Sequence, residues 1–227
     1  MKIVSCYIPN LYPQIGPMVD SLDRYAPDHI VIEHEAEKIR TFTLGWPKNR
    51  FFYCTAQGGE FIDLAFFRDG ELICLIDADV IMQRAITEQE LSEITPKRGE
   101  FTINFCSYPP RSLNDLTSSM MCTKEIVSRD SYLELGAAVM IAYKEDWEKL
   151  RDIYVPFFKS LRRSMWHHDA TQWAISHILQ WKFDVKIAPD WLHNAEWYDG
   201  TRAKVDNVTL RVGKKDVVFW HTKFNKI

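Results

Sequence analysis

The sequence predicts an α/β domain, a mainly parallel central sheet flanked by helices, and three observations carry that prediction. Apolar runs of strand length recur along the chain, and segments of helical periodicity lie between them. At the end of one run, Leu72–Ile76, stand two carboxylates, Asp77 and Asp79, where α/β sheets gather their ligands. The 227 residues are 46% apolar with ten scattered prolines, which suits one well-buried domain over 1–227 better than two.

Lys2 to Pro9 reads as the first strand, a helix follows around Ile15 to Tyr25, and His29 to Ile32 reads as a second strand, so the chain opens as a βαβ unit. A helix over Glu60–Arg68 precedes the strand Leu72–Ile76, which starts just after Asp69-Gly70. Phe101–Cys106 reads as a later strand and the mostly apolar Glu134–Tyr143 as another. Helices are predicted over Lys144–Lys159 and Ala170–Trp181, and a short apolar strand starting at Asp216 ends in His221. Between them, Ser107–Arg129 is polar and broken by Pro109-Pro110 and Asn114, which suits a loop or lid. There is no internal repeat and no low-complexity tract.

A net charge of -3 argues against nucleic acid as a partner, because binding a polyanion relies on a basic face. Cys6, Cys54, Cys74, Cys106 and Cys122 are odd in number and lack C-x-x-C spacing, so they read as reduced packing residues. Pro9, Asn10 and Pro13 interrupt the first apolar stretch, and nowhere do eighteen apolar residues run together. A cytoplasmic protein without a signal peptide or membrane span is the expectation.

The strongest chemical signal is Leu75-Ile76-Asp77-Ala78-Asp79-Val80. An Asp-x-Asp after a strand also suits a plain turn, because Asp tolerates turn geometry. The absence of Gly, Pro or Asn, and the apolar Val80-Ile81 that follows, weigh against a turn alone. Carboxylates at the end of a buried strand are costly unless a cation neutralises them, and Mg²⁺ or Mn²⁺ accepts carboxylate and phosphate oxygens together. His221 suits Mn²⁺ as a third ligand, and Lys223 and Lys226 close behind supply positive charge for phosphate.

His167-His168-Asp169 leads into the helix that contains Trp173–Leu179. Asp169 and Gln172 have capping-box spacing, and Asp169 at a helix start is equally suited to meet a sugar hydroxyl. The His167-His168 pair has no third ligand at zinc-site spacing. Six tryptophans crowd the last third of the chain, most of them core residues; Trp191, Trp197 and Tyr198 lie in a loop-like stretch with Asp190, His193, Asn194 and Asp199 and suit stacking on a sugar.

In order and spacing, these pieces resemble the metal-dependent glycosyltransferases of the GT-A (Rossmann-like) fold, most closely family 8, the glycogenin and galactosyltransferase type. The resemblance rests on Tyr7-Ile8-Pro9-Asn10, the Asp77-Ala78-Asp79 strand end, Gly136–Ile141 followed by Trp147, the Asp169–Gln172 helix start, and Trp220-His221-Thr222-Lys223. It implies a nucleotide-binding part over 1–106 and an acceptor-binding part over 107–227. On the donor side it places Tyr7, Ile8 and Pro9 around the base of a UDP-sugar with Glu33 within reach, and Arg68, Asp77, Ala78 and Lys223 against the rest of the donor. Asp77, Asp79 and His221 would hold Mn²⁺ or Mg²⁺, and Asp169 and Gln172 would be catalytic. The implied reaction is a retaining transfer to a hydroxyl of a glycan or other acceptor.

Gly136-Ala137-Ala138 departs from the family's Asn-Ala-Gly, and the family's terminal Gly and Lys-Pro-Trp are absent, which leaves the inverting course open. Two other readings compete. A haloacid-dehalogenase-type phosphatase would use Asp77 as nucleophile, although that family carries its motif on the first strand. A binding module that keeps the sheet and has lost catalysis is the other. A nucleotidyltransferase would need a Gly-rich, Arg-containing loop after the first strand, which Tyr-Ile-Pro-Asn-Leu-Tyr does not provide.

Overall fold

The computed structural model describes residues 1–7, 15–33, 64, 67–105, 135–160, 168–195 and 217–221. The βαβ opening forms as β1 (Lys2–Tyr7), α1 (Gly16–Tyr25) and β2 (Ile30–Glu33). A proline in the first turn of α1 suits its start, because that N–H has no helical partner to lose. The apolar run predicted before the carboxylates is β3 (Leu72–Ile76), and Ile73 to Ile76 are all buried, as expected of a strand covered on both faces.

The chain continues through β4 (Val80–Met82), α2 (Glu88–Ile94), β5 (Glu100–Phe105), β6 (Leu135–Tyr143), α3 (Lys144–Ser160), α4 (His168–Lys182), β7 (Asp184–Ile187), β8 (His193–Ala195) and β9 (Phe219–His221). The main sheet has the order β2-β1-β3-β6-β5-β7. Parallel pairing joins β1 to β2 and β3, and β5 to β7, whereas β6 is antiparallel to both of its neighbours. Five strands therefore point one way and β6 alone opposes them, which meets the mainly parallel expectation. Strand direction is not written in an apolar run, so β6 was legible as a strand but not as the reversed one.

A second, small sheet has the order β4-β9-β8. Neither β4 nor β8 was predicted: three residues are too few to show periodicity, and 190–199 had read as loop-like. Nor were α2 and the edge strand β7 predicted. Of the helix expected over Glu60–Arg68, only Leu64, Phe67 and Arg68 are described; Leu64 lies in a 3₁₀ turn and Phe67 and Arg68 are not helical. The rest of that stretch, and the loop or lid expected over 107–129, fall outside the described residues.

The core between α1 and the two sheets is built from Met18, Leu22, Cys74, Ile76, Val80, Met82, Val139, Ile141, Val218 and Phe219. Ser21 ties α1 to β4: its hydroxyl donates to the Met18 carbonyl at 2.7 Å and accepts the Met82 N–H at 3.0 Å, satisfying a buried donor. Elsewhere, α3 and α4 pack on one another and on β6, and Trp147 and Phe183 each meet the Phe101 ring edge to face, at 5.2 and 5.1 Å. Cys6 and Cys74 are buried, and burial pushes the Cys74 thiol up, which keeps it protonated and unreactive.

The seven-residue α2 depends on its cap. Thr87 accepts the Glu90 N–H at 3.2 Å, Glu90 accepts the Thr87 N–H at 2.9 Å, and Arg84 grips the same carboxylate with two nitrogens at 2.7 and 2.8 Å. The Arg84 side-chain bond first, then the Thr87 backbone bond, hold the Glu90 carboxyl down at about 2. Because the folded value lies below the ordinary 4.5, the stabilisation is present above about pH 4.5 and disappears as pH falls towards 2. Thr87→Ala should cost about 1 kcal/mol in urea unfolding at neutral pH. Glu90→Gln should selectively remove the part of the acid-induced loss of stability that falls between pH 4.5 and 2.

Candidate active site

The register of the main sheet gathers one set of strand ends. Ser5 pairs with Ile76 and Tyr7 with Glu33, so Tyr7, Glu33 and Asp77 all emerge at the carboxyl edge of three adjacent parallel strands. Tyr7 donates its hydroxyl proton to the Glu33 carboxylate, which is the chief reason the phenol is held above its ordinary value, with burial second. These are two of the residues expected around a nucleoside. Ile8 and Pro9 lie outside the described residues.

At the end of β3 the chain turns back sharply. The Asp77 amide donates to the Ala138 carbonyl at 2.9 Å, and the Asp77 carbonyl accepts the Val80 N–H at 3.1 Å, so Asp77-Ala78-Asp79-Val80 is a tight turn despite lacking Gly, Pro and Asn. The turn and the carboxylate site had been weighed against each other, and here one produces the other. It drops Val80 directly into β4, where Val80 pairs with His221 of β9. The carboxylates from one end of the sequence and the imidazole from the other therefore meet through backbone pairing.

One ligand atom from each of Asp77, Asp79 and His221 lies within 4.8 Å of the others. His221 Nε2 is 3.1 Å from Asp79 Oδ1, and both side chains are buried, Asp79 with 3% and His221 with 7% of its surface exposed; Asp77 is half-buried. Two carboxylates and an imidazole form a hard, oxygen-rich donor set that fits Mn²⁺ or Mg²⁺, and the burial of Asp79 calls for positive charge beside it.

The other expected site residues are placed as follows. Ala78 is buried inside the turn. Arg68 is exposed in a tight turn ahead of β3, where Gly70 has a φ of +81° and the Arg68 amide donates to Glu71 at 3.0 Å. The five residues of β3, roughly 16 Å of strand, separate that turn from Asp77. Arg68 is thus at the opposite edge of the sheet and is not brought to the cluster, because it stands just ahead of β3, at that strand's amino end. Lys223, Trp197 and Tyr198 lie outside the described residues. Trp191 is half-buried against the core with the Arg84 guanidinium 5.9 Å above its ring.

For Asp169 and Gln172 only the backbone is described. Ser176 of α4 accepts the Leu135 N–H at 2.9 Å, at the start of β6, which is the carboxyl-edge end of the sheet. The helix then runs away from that edge to Lys182 and β7, whose Asp184 pairs with Glu100 at the start of β5. Asp169, seven residues before Ser176, therefore sits about 10 Å beyond that anchor, on the carboxyl-edge side.

One neighbour of the cluster was missed from the sequence. His193 of β8 is buried, with its ring centroid 5.7 Å from that of His221. Burial pushes its pKa down to about 3; the His221 charge adds to this and Asp79 opposes it, so the ring is neutral. No spacing signal points to it, since only the pairing of β8 with β9 brings it there.

No protein-family model matches this chain and no curated protein sequence does. Solved structures do. A galactosyltransferase LgtC, in complex with donor and acceptor sugar analogs, superposes with a TM-score of 0.58 over 99% of this chain and 88% of its own, at 12% identity. A glycosyltransferase involved in glycosylation of the major capsid of PBCV-1 gives 0.57 over 97% and 92%, at 10% identity. The fold is GT-A. Mouse xyloside xylosyltransferase 1, with a TM-score of 0.50 at 12% identity, covers 100% of this chain and 99% of its own. At these identities the likeness is one of fold, and it matches the sheet expected from the sequence. Among the described residues, no helix is long and apolar enough to cross a membrane.

Proposed function

We propose that this chain is a glycosyltransferase that moves a sugar from a UDP-sugar to a hydroxyl of a glycan or other acceptor, with a divalent cation held by Asp77, Asp79 and His221. The observation that carries the proposal is the convergence of those three side chains at the carboxyl edge of a GT-A sheet. A metal site beside strand ends that present Tyr7 and Glu33 suits a nucleoside diphosphate, with the base on the β1–β2 side and the phosphates over the Asp77–Val80 turn. Manganese is favoured over magnesium by the imidazole.

In the reaction, the bond from the anomeric carbon to the β-phosphate oxygen breaks, and a bond from that carbon to the acceptor oxygen forms. Asp77, Asp79 and His221 would hold the divalent ion, which would supply positive charge against the negative charge that builds on the departing diphosphate. Asp77, Asp79 and His221 are held before the ligand arrives, because the turn and the β4–β9 pairing fix their backbones, so little reorganisation accompanies charge development. Lys223, two residues beyond β9, adds positive charge on the leaving group. The acceptor's proton passes to the departing phosphate in a retaining course, the one the resemblance favours, or to Asp169 in an inverting one. Gln172, one helical turn on, would orient the transferred sugar.

Calorimetric titration of UDP, GDP and a panel of UDP-sugars, each with Mn²⁺ and with EDTA, tests this. UDP should bind with Mn²⁺ and lose its binding in EDTA, and one UDP-sugar should be hydrolysed slowly without acceptor. Failure of every nucleotide to bind would sink the proposal, and donor binding without hydrolysis or transfer would leave a binding module.

A further inference from the structure

The side chain of His193 is fixed by an unusual partner. At the break in register between Ile103 and Asn104, β5 carries a bulge, a feature that re-aims side chains, and the Asn104 amide reaches β8. Asn104 Nδ2 lies 3.2 Å from the His193 carbonyl and 3.2 Å from His193 Nδ1. A carbonyl oxygen only accepts, so the group facing it is the NH₂ of Asn104, and the same NH₂ donates its other proton to Nδ1. Nδ1 is therefore the acceptor nitrogen, and the proton of this neutral ring is on Nε2.

Among the described residues, that proton has no acceptor. Nε2 is sealed from solvent and hydrogen-bonded to no atom among the described residues, an arrangement that is costly for a buried donor. The charged groups that act on the ring are His221 and Asp79, two of the three expected ligands. Asp79 already faces His221 at 3.1 Å. With the ring beside His221, an oxygen arriving with whatever the cluster binds would supply the acceptor that Nε2–H lacks among the described residues.

We propose that His193, locked by Asn104 as the Nε2–H tautomer, donates a hydrogen bond to an oxygen carried by the cation held at Asp77, Asp79 and His221, either a bound water or a diphosphate oxygen. This rests on the metal-site reading above and extends it to two residues outside the ligand set. The role suits a neutral imidazole: it adds a directed donor without adding charge that would compete with the cation.

Nitrogen-15 NMR of the wild-type histidines, and metal binding by three variants, test it together. The His193 ring should show the Nε2–H tautomer in the free protein, and its Nε2 resonance should move on addition of diamagnetic Mg²⁺ or Mg²⁺ with UDP. His193→Gln, whose amide nitrogen can stand near Nε2, should bind Mn²⁺ and Mn²⁺–UDP within about threefold of wild type, whereas His193→Phe and His193→Asn should bind about tenfold more weakly. Weakening already seen with Mn²⁺ alone identifies a bound water as the acceptor, and weakening only with UDP identifies the diphosphate. An Nδ1–H tautomer, a resonance indifferent to both ligands, or a His193→Phe variant that melts lower yet binds like wild type would each overturn the proposal while leaving the metal site standing. A wild-type chain that binds neither Mn²⁺ nor Mn²⁺–UDP would overturn both.

Discussion

Asp79→Ala should abolish cation-dependent nucleotide binding and transfer, lowering Mn²⁺ affinity by at least about a hundredfold, because it removes one of three ligands from a site whose remaining members cannot close over the gap. Asp77 is tied by its backbone to Ala138 and Val80, and His221 is fixed by pairing with Val80. The loss should be visible without any assay of activity. At a Mn²⁺ concentration a hundredfold above its dissociation constant, wild type should gain about 2.7 kcal/mol of stability, and its melting temperature should rise accordingly. The variant should show no rise. Asp79→Asn, which keeps the shape and removes the charge, should behave like Asp79→Ala towards Mn²⁺ while unfolding in EDTA close to wild type. A variant at Asp79 that retains Mn²⁺-dependent UDP binding and transfer would remove the foundation of the proposed chemistry.

Phe219→Ala should be the most destabilising of these changes, at about 3–5 kcal/mol, the usual range for deleting a fully buried ring. Phe219 is completely buried, pairs with Met82 on one side and His193 on the other, and its amide donates to the Leu192 carbonyl at 2.8 Å. It is the first residue of the three-residue β9, the middle strand of the small sheet, so the cavity would loosen β9 itself and with it the placement of His221 two residues on. Mn²⁺ binding should therefore weaken alongside stability, although Phe219 is not itself a ligand. Phe219→Leu, which keeps most of the volume, should cost clearly less and retain binding. Urea unfolding with parallel Mn²⁺ titration decides the matter: a Phe219→Ala protein of near wild-type stability would mean that β9 is held by something other than this packing.

How much of this was legible in the chain depends on the length of the segment that carried the signal. β1, β3, β6, α1 and α3 are long enough for period and burial to show, and each was read close to its observed bounds. β4, β8 and β9 have three residues each, and only β9 was anticipated, through the apolar run before His221. The expected metal ligands Asp77, Asp79 and His221 converge, and Tyr7 and Glu33 come to the same edge, whereas Arg68 does not. The Arg68 expectation rested on a helix over Glu60–Arg68 ahead of the metal strand; Phe67 and Arg68 are not helical, and Arg68 stands at the amino end of β3, on the far side from Asp77.

By itself, the sequence determined the α/β class and the pairing of carboxylates with a strand end, because apolar periodicity and burial cost are local properties that neighbouring residues report. What only the tertiary structure decided was proximity: that Asp79 and His221, more than a hundred and forty residues apart by number, stand at 3.1 Å, that β6 runs against its neighbours, and that the His193 ring comes beside His221 with Asn104 Nδ2 at 3.2 Å from its Nδ1. Strand pairing across a sheet is specified by hydrogen bonds between distant backbones and by the summed burial of the whole core. No single stretch of sequence carries that information, which is why the chemistry of the site could be read from the chain but its geometry could not.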